Sequence, residues 1–315
     1  MATVTARPLS MAGVARAARR SYGVAREIPV IPLVVLALLA GVAIFAPVLA
    51  PHGKLDPVKP TREACLAKYR MASCPYVDNV PPFWSSAGTL DTPLGTDSLG
   101  RDVLSRLMYG ARISLIVALT GTLAAGAIGT LLGILAGYMG KWWDQIIMRI
   151  TDAWLTLPSL VFAILLSAVR GPGLWNVVLI LALVFWSRYS RAVRGEVLAI
   201  REREFVRLAE INGVRKLRII RRHLLPNVMN TVMVLFSLQV GVAVIIEASL
   251  SFLGVGVPPP EPSWGLMLAQ EREMLMLGSW WLAAFPGICI SMLVLSANML
   301  GDWLRVRLDP HLRNR

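Results

Sequence analysis

Cysteine and histidine are scarce in this sequence, with three of each among 315 residues. No histidine accompanies Cys65, Cys74 or Cys289 at metal-site spacing, so a zinc centre is not expected. Charge is also thin, at 16% against 56% hydrophobic residues, and acids are the rarer sign, 19 against 32 Lys and Arg. That composition excludes an ordinary soluble domain. No G-x-x-x-x-G-K-[ST] phosphate loop occurs, so the chain is not expected to bind ATP itself. Neither a Ser/His/Asp set, an H-E-x-x-H helix nor a carboxylate pair stands out, and catalysis is not expected. The net charge of +13 is not read as a nucleic-acid signal. The arginines cluster beside apolar runs, where membrane orientation and anionic lipid headgroups account for them.

What is present is a series of uninterrupted apolar runs near the ~20 residues that cross a bilayer. The expected fold is an all-α polytopic membrane protein with six spans. Residues 1–29 form a basic tail, and Pro29 to Ala50 (domain bounds 30–50) the first span. Proline at 51 argues against cleavage after Ala50, so this run reads as an anchor rather than a signal peptide. Residues 51–112 read as an extended external loop, and residues 113–304 as the membrane core. Within that core, spans are predicted at about 113–138, 152–169 (interrupted by Pro158), 174–190, 228–250 and 280–303. Residues 251–279, rich in Gly and Pro, read as an external re-entrant loop, and 305–315 as a second basic tail. With both termini inside, Lys and Arg divide 22 inside to 10 outside, 8 of the latter in the one long loop. This places the termini and the loop 191–227 in the cytoplasm. Gly126, Gly129, Gly133 and Gly137 form a small-residue stripe suited to close helix packing.

The loop 191–227 is the functional focus. Eleven Lys and Arg lie between Arg188 and Arg222. At roughly 2.5–3.5 kcal/mol each at a bilayer centre, they cannot sit in hydrocarbon. Phe205, Leu208, Ala209 and Asn212 recur at helical spacing, and Asn212-Gly213 is a helix stop. A second short helical pattern through Leu217, Ile220 and Leu224 is closed by Pro226. A bent, surface-lying helical element is predicted, and by physics alone a solvated basic loop satisfying the positive-inside rule explains it equally well.

This stretch resembles the EAA loop of ABC-importer permeases, E-A-A-x-x-x-G with a later I-x-L-P. Here it reads Arg207-Leu208-Ala209, then Gly213, and downstream Leu225-Pro226. Arg207 and Leu208 depart from the family's Glu and first Ala. A second motif runs Gly95-Thr96-Asp97, Gly100-Arg101-Asp102 and on to Arg106. Read physically, it is a polar turn with a helix start, in which Asp97 and Asp102 can cap N–H groups and pair with Arg101 or Arg106. We expect a structural knot bracing the second span. In order and spacing it is similar to the dipeptide, oligopeptide and nickel type, the DppC/OppC second permease. Asp152 to Pro158, Ala248 to Gly256 and Pro262-Ser263-Trp264-Gly265 agree with that type, so the resemblance covers about residues 90–310.

The resemblance implies a type I importer permease fold whose coupling helix sits in a groove of a separate ATPase subunit. Phe205, Leu208 and Ala209 would then supply apolar contact, and Arg203, Arg207 and Arg215 charge at the rim. Implied partners are a homologous second permease, two ATP-binding subunits that hold ATP and Mg, and an extracytoplasmic binding protein, in the bacterial inner membrane. Membrane lipids join them, and no nucleic acid does. The implied substrate is a di- or oligopeptide, with nickel, glutathione and other ligands sharing the permease type. An ion-coupled secondary transporter and a lipid- or partner-binding scaffold are the rivals. Few midplane charges and no inverted repeat speak against the first, and copurification with an ATPase would separate out the second.

Residues 51–90 lie outside the resemblance. There Cys65 and Cys74 are expected to form a disulfide, with two free thiols as the alternative. Cys289 reads as a small buried residue. Glu247 and Asp302, with Gln239 and Asn298, are the polar groups to watch inside spans. Structural pairing is expected for both acids, Asp302 with nearby arginines. His223 reads as a surface hydrogen-bonder of the coupling region.

Overall fold

The computed structural model describes residues 29–58 and 78–308. Cys65, Cys74 and nearly all of both basic tails lie outside the described residues. Those described form helices α1 (Val30–Leu49), α2 (Val103–Met139), α3 (Lys141–Thr156), α4 (Ser159–Arg170), α5 (Leu174–Arg201), α6 (Glu204–Ile211) and α7 (Lys216–Ile219). A π-helical turn (Ile220–Leu224) leads into α8 (Leu225–Phe252), followed by α9 (Trp264–Gln270), α10 (Arg272–Met276) and α11 (Trp281–Leu308). Five stretches are long and apolar enough to span a membrane, and α3 with α4 makes a sixth if the pair counts as one. The architecture is an all-α polytopic bundle.

Several boundaries differ from those hydropathy suggests, each for a local reason. The second span was expected from 113, yet α2 begins at Val103 because Asp102 caps it, accepting from the Leu104 and Ser105 N–H groups at 3.4 and 3.0 Å. The external loop therefore ends at Asp102, and Arg106 belongs to the first turns of α2. At the other end Gly140, at φ 63°, stops α2, and α3 starts at once at Lys141 instead of after a loop. Pro158 does more than interrupt a span. It holds Leu157 extended (ψ 129°) and α3 and α4 meet at 94°. The helix α5, expected to end near 190, continues to Arg201, about 16 Å further at 1.5 Å per residue. Residues 251–279 are not irregular throughout, since they contain α9 and α10.

The core runs along α2, α5, α8 and α11, and the glycine stripe of α2 decides how closely α2 and α5 approach. A Cβ at Gly129 would lie 2.3 Å from the Trp186 carbonyl oxygen and 2.5 Å from Tyr189 Cβ, and one at Gly133 2.7 Å from the Ser190 carbonyl oxygen. The nearest obstacle at each position is a backbone carbonyl oxygen, so a larger residue must push the helices apart. Gly129→Val is expected to lose more in overpacking, about 1–3 kcal/mol or more, than the ~1 kcal/mol that replacing a helix-interior glycine returns. A Cβ at Gly195, on the same helix pair, would meet nothing within 4 Å. Gly195→Ala should hold or raise the melting temperature in detergent while Gly129→Val lowers it. Equal melting temperatures for the two would contradict this packing.

Candidate functional site

Two regions gather the residues singled out in the sequence. At one end of the bundle, α6 is a short amphipathic helix tied down by one residue. Val206 is fully buried among Ile200, Ile219, Leu224 and Val228, beside Tyr138 at the end of α2. Because α6, α5, the π turn and α8 share this cluster, a force on α6 reaches two spans without an intervening flexible joint. Gly213, at φ +68°, ends the helix: its N–H donates to the Glu210 carbonyl and the Val214 N–H to the Ala209 carbonyl, both at 3.0 Å.

The outward face carries Phe205, Leu208 and Ile211, exposed at 40%, 57% and 80%. Ala209, expected in the contact face, is half-buried and packs inward instead, because Val206 sets which side faces the bundle. Ile211 is the residue that the sequence reading missed; the spacing Phe205, Leu208, Ile211 was available, but only the burial of Val206 fixes the face. Arg203, Arg207 and Arg215 are all exposed, and Arg207 pairs with Glu202. His223 is half-buried, its ring 5.7 Å from that of Phe205.

Leu225-Pro226 does not close a helix as expected. It opens α8, where a proline at the first turn gives up an N–H that has no partner anyway. The proline ring would still press on the carbonyl four residues back, at Arg222. The wide π turn before it relieves that conflict, and the helix runs on continuously from Lys216 to Phe252.

Further up α5, Arg188 donates to the buried Gln239 at 3.2 Å and lies over the Phe185 ring. Asp152 pairs with Arg191, and Asp144 with Arg194 through both carboxylate oxygens, fastening α3 to α5. Trp154 donates to the Leu183 carbonyl at 2.6 Å and stacks edge-on to Phe162 and Trp186 beside the α3–α4 bend. This is what Asp152 to Pro158 builds.

At the other end of the bundle, Asp97 is 1% exposed and organises the knot. One carboxylate oxygen accepts from the Leu99 and Arg101 N–H groups at 2.9 and 2.8 Å. The other accepts from Arg101 Nε at 2.7 Å and from Arg106. Thr96 takes the Val80 N–H at 2.9 Å, and Gly95 and Gly100 make the left-handed turns. The knot also reaches α9 and α10, through Arg106 to Gln270 at 2.6 Å and Ser98 to Glu271 at 2.8 Å. Trp264 is wholly buried and donates to the Leu107 carbonyl at 3.1 Å, while a Cβ on Gly265 would strike Ala248 backbone at 2.5 Å. The Ser-Trp-Gly motif thus plugs α9 between α2 and α8.

Glu247 is completely buried and accepts from Ser114 at 3.0 Å and Ser251 at 2.8 Å, tying α8 to α2. Asp302 is exposed and makes no ion pair among the described residues, contrary to expectation, because its side of α11 faces away from the bundle. Cys289 is a half-buried free thiol.

Burial raises the Glu271 carboxyl above its ordinary 4.5, with Asp97 adding to the rise and Ser98 and Arg106 opposing it. A raised pKa in the folded state means that Glu271 supports folding fully below its ordinary value. That support is lost as pH climbs through the raised one. Glu271→Gln should therefore flatten the fall in melting temperature on going from mildly acidic to neutral buffer. An unchanged pH slope in the variant would remove Glu271 as its source.

A family model described as "Binding-protein-dependent transport system inner membrane component" matches residues 129–314. The chain belongs to that family. The chain is 39% identical over 282 residues to the di/tripeptide transport system permease protein DppC of Pseudomonas aeruginosa, covering 90% of this chain and 88% of the relative. It is 42% identical over 221 residues to the glutathione transport system permease protein GsiD of Pectobacterium atrosepticum, covering 70% and 73%. Its fold is similar to a chain of the inward-facing MetNI methionine ABC transporter, with a TM-score of 0.54 at 14% identity, over 65% of this chain and 97% of that one. The chain is thus a DppC-type permease of type I importer fold. The α6 region lies within the matched residues; the knot at 95–102 precedes them.

Proposed function

We propose that the chain is one of two permeases of an ATP-driven importer of short peptides, working in the bacterial inner membrane with both termini in the cytoplasm. The carrying observation is α6: an outward apolar face on a helix whose opposite face is locked into the ends of the spans. A rigid, exposed apolar helix on the inner side suits a partner that moves it.

A homologous permease would enclose the path with this chain, two ATPase subunits would hold ATP and Mg, and an external binding protein would deliver the peptide. ATP-driven closure of the ATPases displaces α6, and the Val206 cluster passes the displacement to α5 and α8. Those spans then switch the path from inward- to outward-open. The names of the relatives, di/tripeptide and glutathione, point to short amide-linked substrates with free carboxylates.

The test is uptake of a labelled dipeptide into vesicles carrying the assembled complex. Uptake should require ATP hydrolysis and survive a protonophore. Uptake that stops when the proton gradient collapses, with ATP intact, would sink the reading. Competition by unlabelled tripeptide or glutathione reads the substrate range.

A further inference from the structure

Two cavities are lined one after the other along the helical stretch Lys216–Phe252. The larger, about 810 Å³, lies between α1, α2, α8 and α11 and is lined by Leu36, Leu119, Met229, Met233, Phe236 and Ala297 among others, with Thr130 and Ser237 its only hydroxyl side chains. Along α8 it extends from Leu225 to Val240, about 22 Å at 1.5 Å per residue. One leaflet of a ~30 Å hydrocarbon core is shorter than that. The second cavity, about 410 Å³, is lined by Arg215, Leu217, Arg218, Arg221 and Arg222. Arg222 and Arg221 precede Leu225 by three and four residues on that stretch, so the two linings come within about one helical turn of each other along it.

The arginines here differ from three in α5 and α6. Arg191, Arg194 and Arg207 are each matched to Asp152, Asp144 and Glu202. Arg215, Arg218, Arg221 and Arg222 line their cavity with no acidic partner among the described residues.

We propose that this composite groove binds an anionic glycerophospholipid, its phosphodiester held by Arg218, Arg221 and Arg222 and its acyl chains in the cavity under α1. Guanidinium groups suit the demand, since their paired N–H donors match phosphate oxygens. Basic pockets at the cytoplasmic ends of spans are where such headgroups gather. The inference rests on the membrane orientation proposed above, not on the substrate. Lipid binding is read without transport, so its failure leaves the importer reading standing.

The experiment is lipid binding to the full chain, purified with its complex and delipidated, using phosphatidylglycerol and phosphatidylcholine in mixed micelles and counting bound lipid by native mass spectrometry. Phosphatidylglycerol is expected to bind at least tenfold more tightly than phosphatidylcholine. The triple variant Arg218→Gln, Arg221→Gln, Arg222→Gln should lose that preference. Ala127→Trp, which places a ring in the groove from an exposed α2 position, should lower the binding of both lipids while leaving the arginines in place. Inorganic phosphate should fail to displace the lipid. The proposal is overturned if the two lipids bind alike, or if the triple variant keeps the preference. Complete displacement by inorganic phosphate would mean a free-anion site only. A Met233→Cys cross-link to the second permease would mean that protein fills the groove.

Discussion

Phe205→Asp combined with Leu208→Asp is expected to release the ATPase subunits from the membrane complex and to abolish ATP-dependent uptake. Both side chains stand exposed on the outer face of α6, so the pair can be changed without opening the core. Burying an apolar side chain of this size against a partner contributes about 1.5–3 kcal/mol. Losing two, and placing two carboxylates in the same groove, should weaken docking by at least two orders of magnitude, since each 1.4 kcal/mol is tenfold. The measurement is copurification of the ATPase with the tagged permease, read beside the permease's own melting temperature. Loss of the ATPase with an unchanged melting temperature is the expected pattern. Retention of the ATPase at the wild-type ratio would remove α6 from the coupling interface. Val206→Ala is the useful contrast: that side chain is wholly buried, and its loss should lower the melting temperature before it touches docking.

Asp97→Ala is the second large effect, and it acts on folding. Asp97 faces Arg101 and Arg106, whose side chains are 10% and 3% exposed, and is itself 1% exposed. Removing the acid strands two guanidinium groups where water cannot reach them, and breaking a buried pair in this way costs about 3–5 kcal/mol. The whole stability of a domain is of the order of 5–15 kcal/mol, so most of the chain should fail to reach a folded, extractable state. Lys54–Glu261 is the control. It is also an ion pair, at 2.6 Å, but its side chains are 32% and 40% exposed, and such pairs contribute about 0–1 kcal/mol. Lys54→Ala should therefore fold in wild-type yield. Comparable yields of Asp97→Ala and wild type would show that the knot is not what braces the start of α2.

Legibility differed between the two sites for a physical reason. Gly213 and the basic density around α6 can be read one residue at a time: a left-handed stop and a charge that hydrocarbon excludes. Which apolar residues of α6 face outward could not, because Phe205, Val206, Leu208, Ala209 and Ile211 offer more than one apolar stripe. The burial of Val206 against Ile219 and Leu224, residues from the other side of a turn, selects one stripe. In the knot, the pairing of Asp97 with arginines was open to inspection at short spacing. Its attachment to Gln270 and Glu271, more than 160 residues later, was not.

By itself the sequence determined what depends on local chemistry. That includes an all-α chain with its apolar spans, the exclusion of the basic stretch 188–222 from hydrocarbon, the helix stop at Gly213 and the family to which the motifs belong. The tertiary structure alone decided what depends on distant partners. It set the inward turn of Ala209, the attachment of the 95–102 knot to Gln270 and Glu271, and the plugging of Trp264 between α2 and α8. Hydrophobicity and charge are properties of single residues, whereas a face exists only once another element has covered the opposite one.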